Sequence, residues 1–211
     1  MKAKDAKGKS RMPPAMKRAG SMDTREKLVR TAERLMLRDG YSATRVDDVI
    51  RKAGLSKGSF YHLFDSKEAL GLAALEHYYT DRVGRLAGGT YATETDPLRR
   101  AQGFLKHASD VAADLWTTGC LLASLAADAA GSNRAVSNAL KKRTSDLRAL
   151  LVDLLSPFAT PEITPADLAD QFLVCIEGSI VLARIYGDPS YLRRGLEQFQ
   201  RCLNRIDVSG A

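Results

Sequence analysis

The sequence predicts an all-α fold, a three-helix head followed by a larger helical body. Three observations carry this. Apolar residues recur at helical spacing along nearly the whole chain, and no run alternates as a half-buried strand would. The periodic runs open on Ser, Thr, Asp or Asn, which accept from free N–H groups at helix starts, and several close on Gly. The stretch Thr44–Lys67, TRVDDVIRKAGLSKGSFYHLFDSK, has the pattern of two short helices joined by a tight turn.

The first helix is expected to start at Asp23, with Glu26 completing a capping-box pattern. Leu28, Ala32, Leu35 and Met36 form its stripe, Gly40 ends it, and Tyr41 can close back onto Met36. Thr44 is the expected cap of the second helix, whose inner face is Val46, Val49, Ile50 and Ala53. Gly54 ends that helix and Ser56 caps the third. Leu55 and Phe60 fit a hydrophobic staple across that cap. Phe60, Leu63 and Phe64 would face inward, leaving Lys57, Gly58, Tyr61 and His62 outward. Ser66 caps a longer fourth helix, running to about Leu86, and residues 87–95 form a loop.

In the body, Asp96-Pro97 opens the fifth helix, with Pro at the first turn where its missing N–H does no harm. Thr118-Gly119 starts the sixth, to about Ala130, and Gly131-Ser132-Asn133 makes a turn and cap. The seventh carries Val136, Leu140, Leu147, Leu150, Leu151 and Leu154 on one side. After a loop from Pro157 to Pro165, Thr164-Pro165 opens the eighth, over 165–186. Asp188-Pro189 opens the ninth, to about Ile206. The expected division is a basic disordered tail at 1–22, a helix-turn-helix domain at 23–70, and a helical body at 71–211.

Composition narrows the function. The chain has 211 residues, 45% of them hydrophobic and 27% charged, as in globular proteins with a sizeable core. No apolar run is long enough for a membrane span, and the basic N-terminus lacks the apolar segment of a secretory signal. Cys120, Cys175 and Cys202 have neither disulfide nor metal-ligand spacing, which points to a reducing, cytoplasmic setting. The net charge of +7 lies at the front. Residues 1–22 carry seven basic side chains against Asp5 alone, residues 23–67 ten against seven, and residues 68–211 fifteen against seventeen. A front end that faces nucleic acid has this distribution. A merely solvated tail would show it as well.

Two chemistries are set aside. Gly54-Leu55-Ser56-Lys57-Gly58 matches the nucleophile elbow of hydrolases, but the elbow needs a preceding strand and this segment follows a helix. The chain is therefore expected not to be an enzyme. His62, His77 and His107 have no metal-ligand spacing, and no phosphate loop or dinucleotide fingerprint is present, so neither metal nor cofactor is expected.

The head resembles the TetR family of transcriptional repressors. The residues that carry this are Ala32, Leu35, Gly40, Tyr41, Thr44, Val49, Ala53, Gly54, Ser56, Gly58, Tyr61, Phe64, Lys67 and Leu70. They match the family patterns G-[YF]-x-x-[TS]-[TS]-x-x-x-I, A-G-[VL]-S-x-G-x-[FIL]-Y-x-[HY]-F and x-x-K-E-x-L over about 50 residues. Arg45 and Val49 depart from it, where Thr or Ser and Ile are commoner. The resemblance implies a homodimer on a palindromic DNA operator, released by a small-molecule inducer.

It also implies site residues. Tyr61, His62 and Lys67 would donate to phosphates, with Thr44, Arg45 and Ser56 at helix N-termini beside them. Lys57 and Ser59 sit where the third helix reaches base edges. Gly58 inside a helix costs about 1 kcal/mol against Ala, a cost that close approach of the backbone to DNA would justify. For dimerisation, Leu168, Phe172, Cys175, Ser179, Leu182 and Tyr186 recur at 4-3-4-3-4, as do Leu192, Leu196, Phe199, Leu203 and Ile206. Two stripes per subunit would make a four-helix bundle, or else bury on the chain's own core. An effector pocket would lie among the fourth to eighth helices, lined by Tyr78, Phe104, His107, Trp116, Cys120, Leu121, Phe172 and Ile176, unless these are plain core.

Thr118-Gly119-Cys120-Leu121-Leu122 and Glu177-Gly178…Ala183-Arg184 resemble a branch of the family with a Gly-Cys pair at the sixth helix, some of whose members respond to electrophiles. Cys120 near a helix N-terminus is thus a candidate thiol sensor, though the eighth helix offers only Arg184 as a cation. Other possibilities are an effector-independent architectural protein that uses the basic tail, and a small-molecule-binding module without DNA activity.

Overall fold

The computed structural model describes residues 14–129 and 133–206, with side chains from Asp23 onward. The helices are α1 (Pro14–Asp39), α2 (Val46–Ala53), α3 (Lys57–Leu63), α4 (Lys67–Ala87), α5 (Pro97–Trp116), α6 (Leu121–Ala129), α7 (Arg134–Leu155), α8 (Pro165–Tyr186) and α9 (Ser190–Leu203). Among the described residues there is no strand. The all-α expectation holds because the signals behind it are local. Ser56, Ser66, Asp96 and Asn133 each accept from the backbone N–H three residues on, at 3.1, 3.0, 2.8 and 2.9 Å. Thr164 and Asp167 form a reciprocal capping box. Each such cap contributes about 1 kcal/mol.

Several boundaries differ from the sequence expectation. Helix α1 begins at Pro14, so residues 14–22, assigned to a disordered tail, are helical and Asp23 lies inside the helix. Residues 1–13 lie outside the described residues, as do Gly131 and Ser132 of the expected turn. Thr44 does not cap α2. Its hydroxyl donates back to the Gly40 carbonyl at 2.7 Å, and Arg45 occupies the cap position without a side-chain bond. Helix α6 starts at Leu121, two residues into the predicted element, because Gly119 has φ +105° and cannot be helical. Helix α9 ends at Leu203, short of Ile206. The 87–95 loop contains a 3-10 turn, Thr90–Thr93, pinned by buried Tyr91, whose hydroxyl donates to the Leu86 carbonyl at 2.8 Å.

The helices pack around two apolar cores. The head core joins Leu28, Ala32 and Met36 of α1, Val49, Ile50 and Ala53 of α2, and Phe60 of α3 to Leu70, Leu75 and Tyr78 of α4. It also takes in Leu121 and Leu125 of α6 and Val136 and Leu140 of α7. The head is therefore not closed at residue 70. The body core is built from α5, α7, α8 and α9 around Phe104, Phe172 and Phe199, whose successive ring centroids are 5.5 Å apart. Polar links add to the join. Asp128 of α6 accepts from the Ser42 N–H at 3.1 Å, and Ser124 donates to the Met36 carbonyl at 3.2 Å. Asn133 donates to Glu68 at the start of α4.

Candidate nucleic-acid interface

Helix α2 turns its apolar side inward, burying Val49, Ile50 and Ala53. Gly54 then takes left-handed backbone, φ +65°, and its N–H and that of Leu55 close onto the carbonyls of Arg51 and Ile50. A Cβ there would meet nothing within 4 Å, so the glycine is required by its backbone angle rather than by space. The turn delivers the chain to Ser56, and α3 buries Phe60 completely between the rings of Tyr61 and Phe64, at 5.1 and 5.9 Å.

With Phe60 inward, α3 presents Lys57, Gly58, Tyr61 and His62 outward. Tyr61 is 60% exposed, far more than an aromatic ring needs if packing were its only role. Lys57 pairs with exposed Asp47 at 2.9 Å, and that carboxylate raises the ammonium pKa above its ordinary value. A cation on DNA must give up this contact, which surface screening makes weak. Ser59 is half-buried, with its hydroxyl 2.9 Å from that of Ser56. A Cβ on Gly58 would meet only the Ser56 hydroxyl, at 3.8 Å. The protein's own packing therefore does not demand glycine at that position.

Two of the predicted contact residues, Thr44 and Lys67, are engaged within the protein. Thr44 is buried and its hydroxyl is occupied by Gly40. Lys67 donates to the Ser42 carbonyl at 3.1 Å and lies 4.5 Å over the Tyr41 ring. Partial burial lowers its pKa, and it fastens the start of α4 to the α1–α2 turn. Ser56 caps α3 as the sequence predicts, at the exposed start of the helix, and Arg45 is exposed as well. One cation that the motif did not point to is Arg25 of α1, whose guanidinium lies 5.2 Å from the Phe64 ring beside α3. Only the tertiary fold brings it there.

The eight predicted pocket residues divide between the cores. Phe104, Trp116, Cys120, Phe172 and Ile176 belong to the body core, Tyr78 and Leu121 to the head core. Half-buried His107 bonds the Arg85 carbonyl at 2.9 Å. Of the eight, Cys120 borders a groove of about 370 Å³ between α1, α6 and α8, with Ser124, Glu177 and Ile180. Burial, and then the neighbouring Glu177 carboxylate, push the Cys120 thiol up to about 12.

The predicted dimer stripes also divide. Leu168, Ser179, Leu192, Leu196, Phe199 and Leu203 are buried within the subunit, Cys175 is half-buried, and Leu182 is 41% exposed. The apolar side chains left open on α8 are Val174, Val181, Leu182, Ile185 and Tyr186.

A helix-turn-helix with a bare polar and aromatic second helix, set on a helical body, defines a DNA-binding regulator. Residues 28–74 match the bacterial regulatory proteins of the tetR family, and residues 97–198 match the C-terminal domain of LmrA/YxaF-like transcriptional regulators. The HTH-type transcriptional repressor NemR of Escherichia coli K12 is 32% identical over 134 residues, covering 63% of this chain and 67% of that protein. The reduced form of E. coli NemR superposes with a TM-score of 0.68 at 26% identity, covering 85% of this chain and 97% of that one. A TetR transcriptional regulator from Chloroflexus aurantiacus shares the fold, with a TM-score of 0.77 at 24% identity over 89% of this chain and 97% of that one. The chain belongs to the TetR family of transcriptional regulators.

Proposed function

We propose that this protein is a repressor that binds a palindromic operator as a homodimer and is released by a small molecule. The observation that carries the reading is a pair of uncovered surfaces. One is the outward face of α3, with Lys57, Gly58, Tyr61 and His62. The other is the apolar row Val174, Val181 and Ile185 on α8, which recurs at helical spacing through Gly178. Two-fold pairing through that row would set two reading helices on successive half-sites. Tyr61 and His62 would hold phosphates, Lys57 and Ser59 base edges, and bare Gly58 would let the backbone approach. As a regulator acting on DNA it would work in the cytoplasm, with no catalytic step.

Release requires an effector that favours the non-binding spacing of the heads. The groove beside Cys120 and Glu177 is where we place it, since Asp128 and Ser124 of the same helix hold the α1–α2 turn. A thiol switch at Cys120 fits less well, because the thiol stays protonated near neutral pH. The test is a footprint of purified protein on fragments of its own genome, with mass measured by light scattering. One short palindrome protected by a dimer supports the reading. Uniform coverage would mean an architectural protein, and no protection a binding module.

A further inference from the structure

A second cleft adjoins the groove just described and shares Leu37, Arg38 and Arg184 with it. It has a volume of about 740 Å³ and opens where head meets body. Leu35 and Leu37 are buried along it, and five basic side chains from four helices line it. They are Arg34 and Arg38 of α1, Lys52 of α2, Arg82 of α4 and Arg184 of α8, against one carboxylate, Glu33. That carboxylate is engaged by His77 at 2.6 Å.

The cations are incompletely neutralised. Arg38 pairs with Asp39 and Arg82 with Asp81. Among the described residues Arg34 finds only the Arg30 carbonyl, at 3.4 Å. Among the described residues, no carboxylate lies within ion-pair distance of Lys52 or Arg184. The Nε of Arg82 is enclosed and has no hydrogen-bond partner among the described residues. A buried donor without a partner is costly and uncommon. Gly119 matters here too. A Cβ at Gly119 would sit 2.9 Å from the Arg184 guanidinium, so the glycine leaves room for that side chain against the α5–α6 turn.

We infer that this cleft binds a small polyanion, a molecule with two or more phosphate or carboxylate groups. Like charges gathered on opposite walls focus a positive potential and repel one another until a counter-charge enters. Guanidinium forks match both oxyanion types. The volume is that of a ligand site rather than a single-ion site. An occupant held by α1 and α2 on one side and by α4 and α8 on the other would bridge head and body. Binding itself does not depend on the repressor reading and is measured without DNA.

The full-length protein is titrated calorimetrically with pyrophosphate, inorganic phosphate and citrate, ionic strength being held constant with chloride. Saturable binding of pyrophosphate or citrate, at least tenfold tighter than inorganic phosphate, is expected. Arg82→Gln and the surface double variant Lys52→Gln/Arg184→Gln should each weaken it at least tenfold. If Arg82→Gln fails to fold, the double variant, checked by circular dichroism, decides alone. No saturable binding of any of the three anions overturns the inference, as does unweakened binding by the folded double variant. Affinity for a random DNA duplex without added anion should be unchanged in the double variant. A parallel loss there would mean that the cleft holds DNA phosphate, and would also overturn it.

Discussion

Lys57 and Tyr61 lie one helical turn apart on the exposed side of α3, yet their losses should read differently. On the proposed DNA complex Lys57→Ala would remove a donor to a base edge and should relax preference at one position by about 1–3 kcal/mol. Tyr61→Ala would remove the proposed phosphate donor and should weaken binding on every sequence alike. A randomised-site selection separates the two, and an unaltered profile for Lys57→Ala would take it out of base readout. Cys120 gives a pH-dependent test. Its folded pKa, about 12, lies above the ordinary thiol value, so the fold favours the protonated form. The stability this gives is present below the ordinary thiol pKa and is lost as pH rises toward the folded one. With iodoacetamide at pH 7.5, exposed Cys202 should label first and Cys120 should stay unmodified until urea unfolds the chain. Prompt labelling of Cys120 in the native protein would restore the thiol-sensor reading.

Helix α8 shows how two apolar faces of one element do different work. The 4-3-4 row through Leu168, Phe172 and Ser179 goes into the body core, while Val174, Val181 and Ile185, about 140° around the helix, stay open. Val181→Asp should therefore halve the mass seen by light scattering and leave the helical circular dichroism intact. Leu196→Ala should instead destabilise the subunit by about 2–5 kcal/mol in urea unfolding, the range for a cavity in a packed core. If Val181→Asp stays dimeric, α8 does not pair through this face.

At the scale of the whole molecule, charge is the organising feature. Residues 1–13 hold Lys2, Lys4, Lys7, Lys9 and Arg11 against Asp5, ahead of a helix α1 that begins at Pro14. Deleting them leaves α1 whole. The log–log salt dependence of DNA binding should become shallower, because fewer counterions are released, while the preferred sequence stays the same. An unchanged slope would make the segment a passive appendage. The head core, closed by α6 and α7 as well as by α1–α4, gives the body a direct mechanical hold on the reading helix. A ligand in either proposed groove between them would act on that join.

Much was legible in the sequence because helices are decided locally. Caps at Ser56, Ser66, Asp96, Asn133 and Thr164 act over three residues, and Gly54 follows from its own backbone angle, so element order, the helix-turn-helix and the outward face of α3 could be read directly. Tertiary structure decided what depends on distant partners. Thr44 has the composition of a cap, but its hydroxyl turned to Gly40 as the α1–α2 turn closed. Lys67 met Ser42 and Tyr41 across the join instead of standing free. Apolar spacing placed a stripe on α8 without saying which of its two apolar faces the body would cover. The basic cleft draws on positions 34, 38, 52, 82 and 184, which share no local pattern, since only packing brings four helices to one opening.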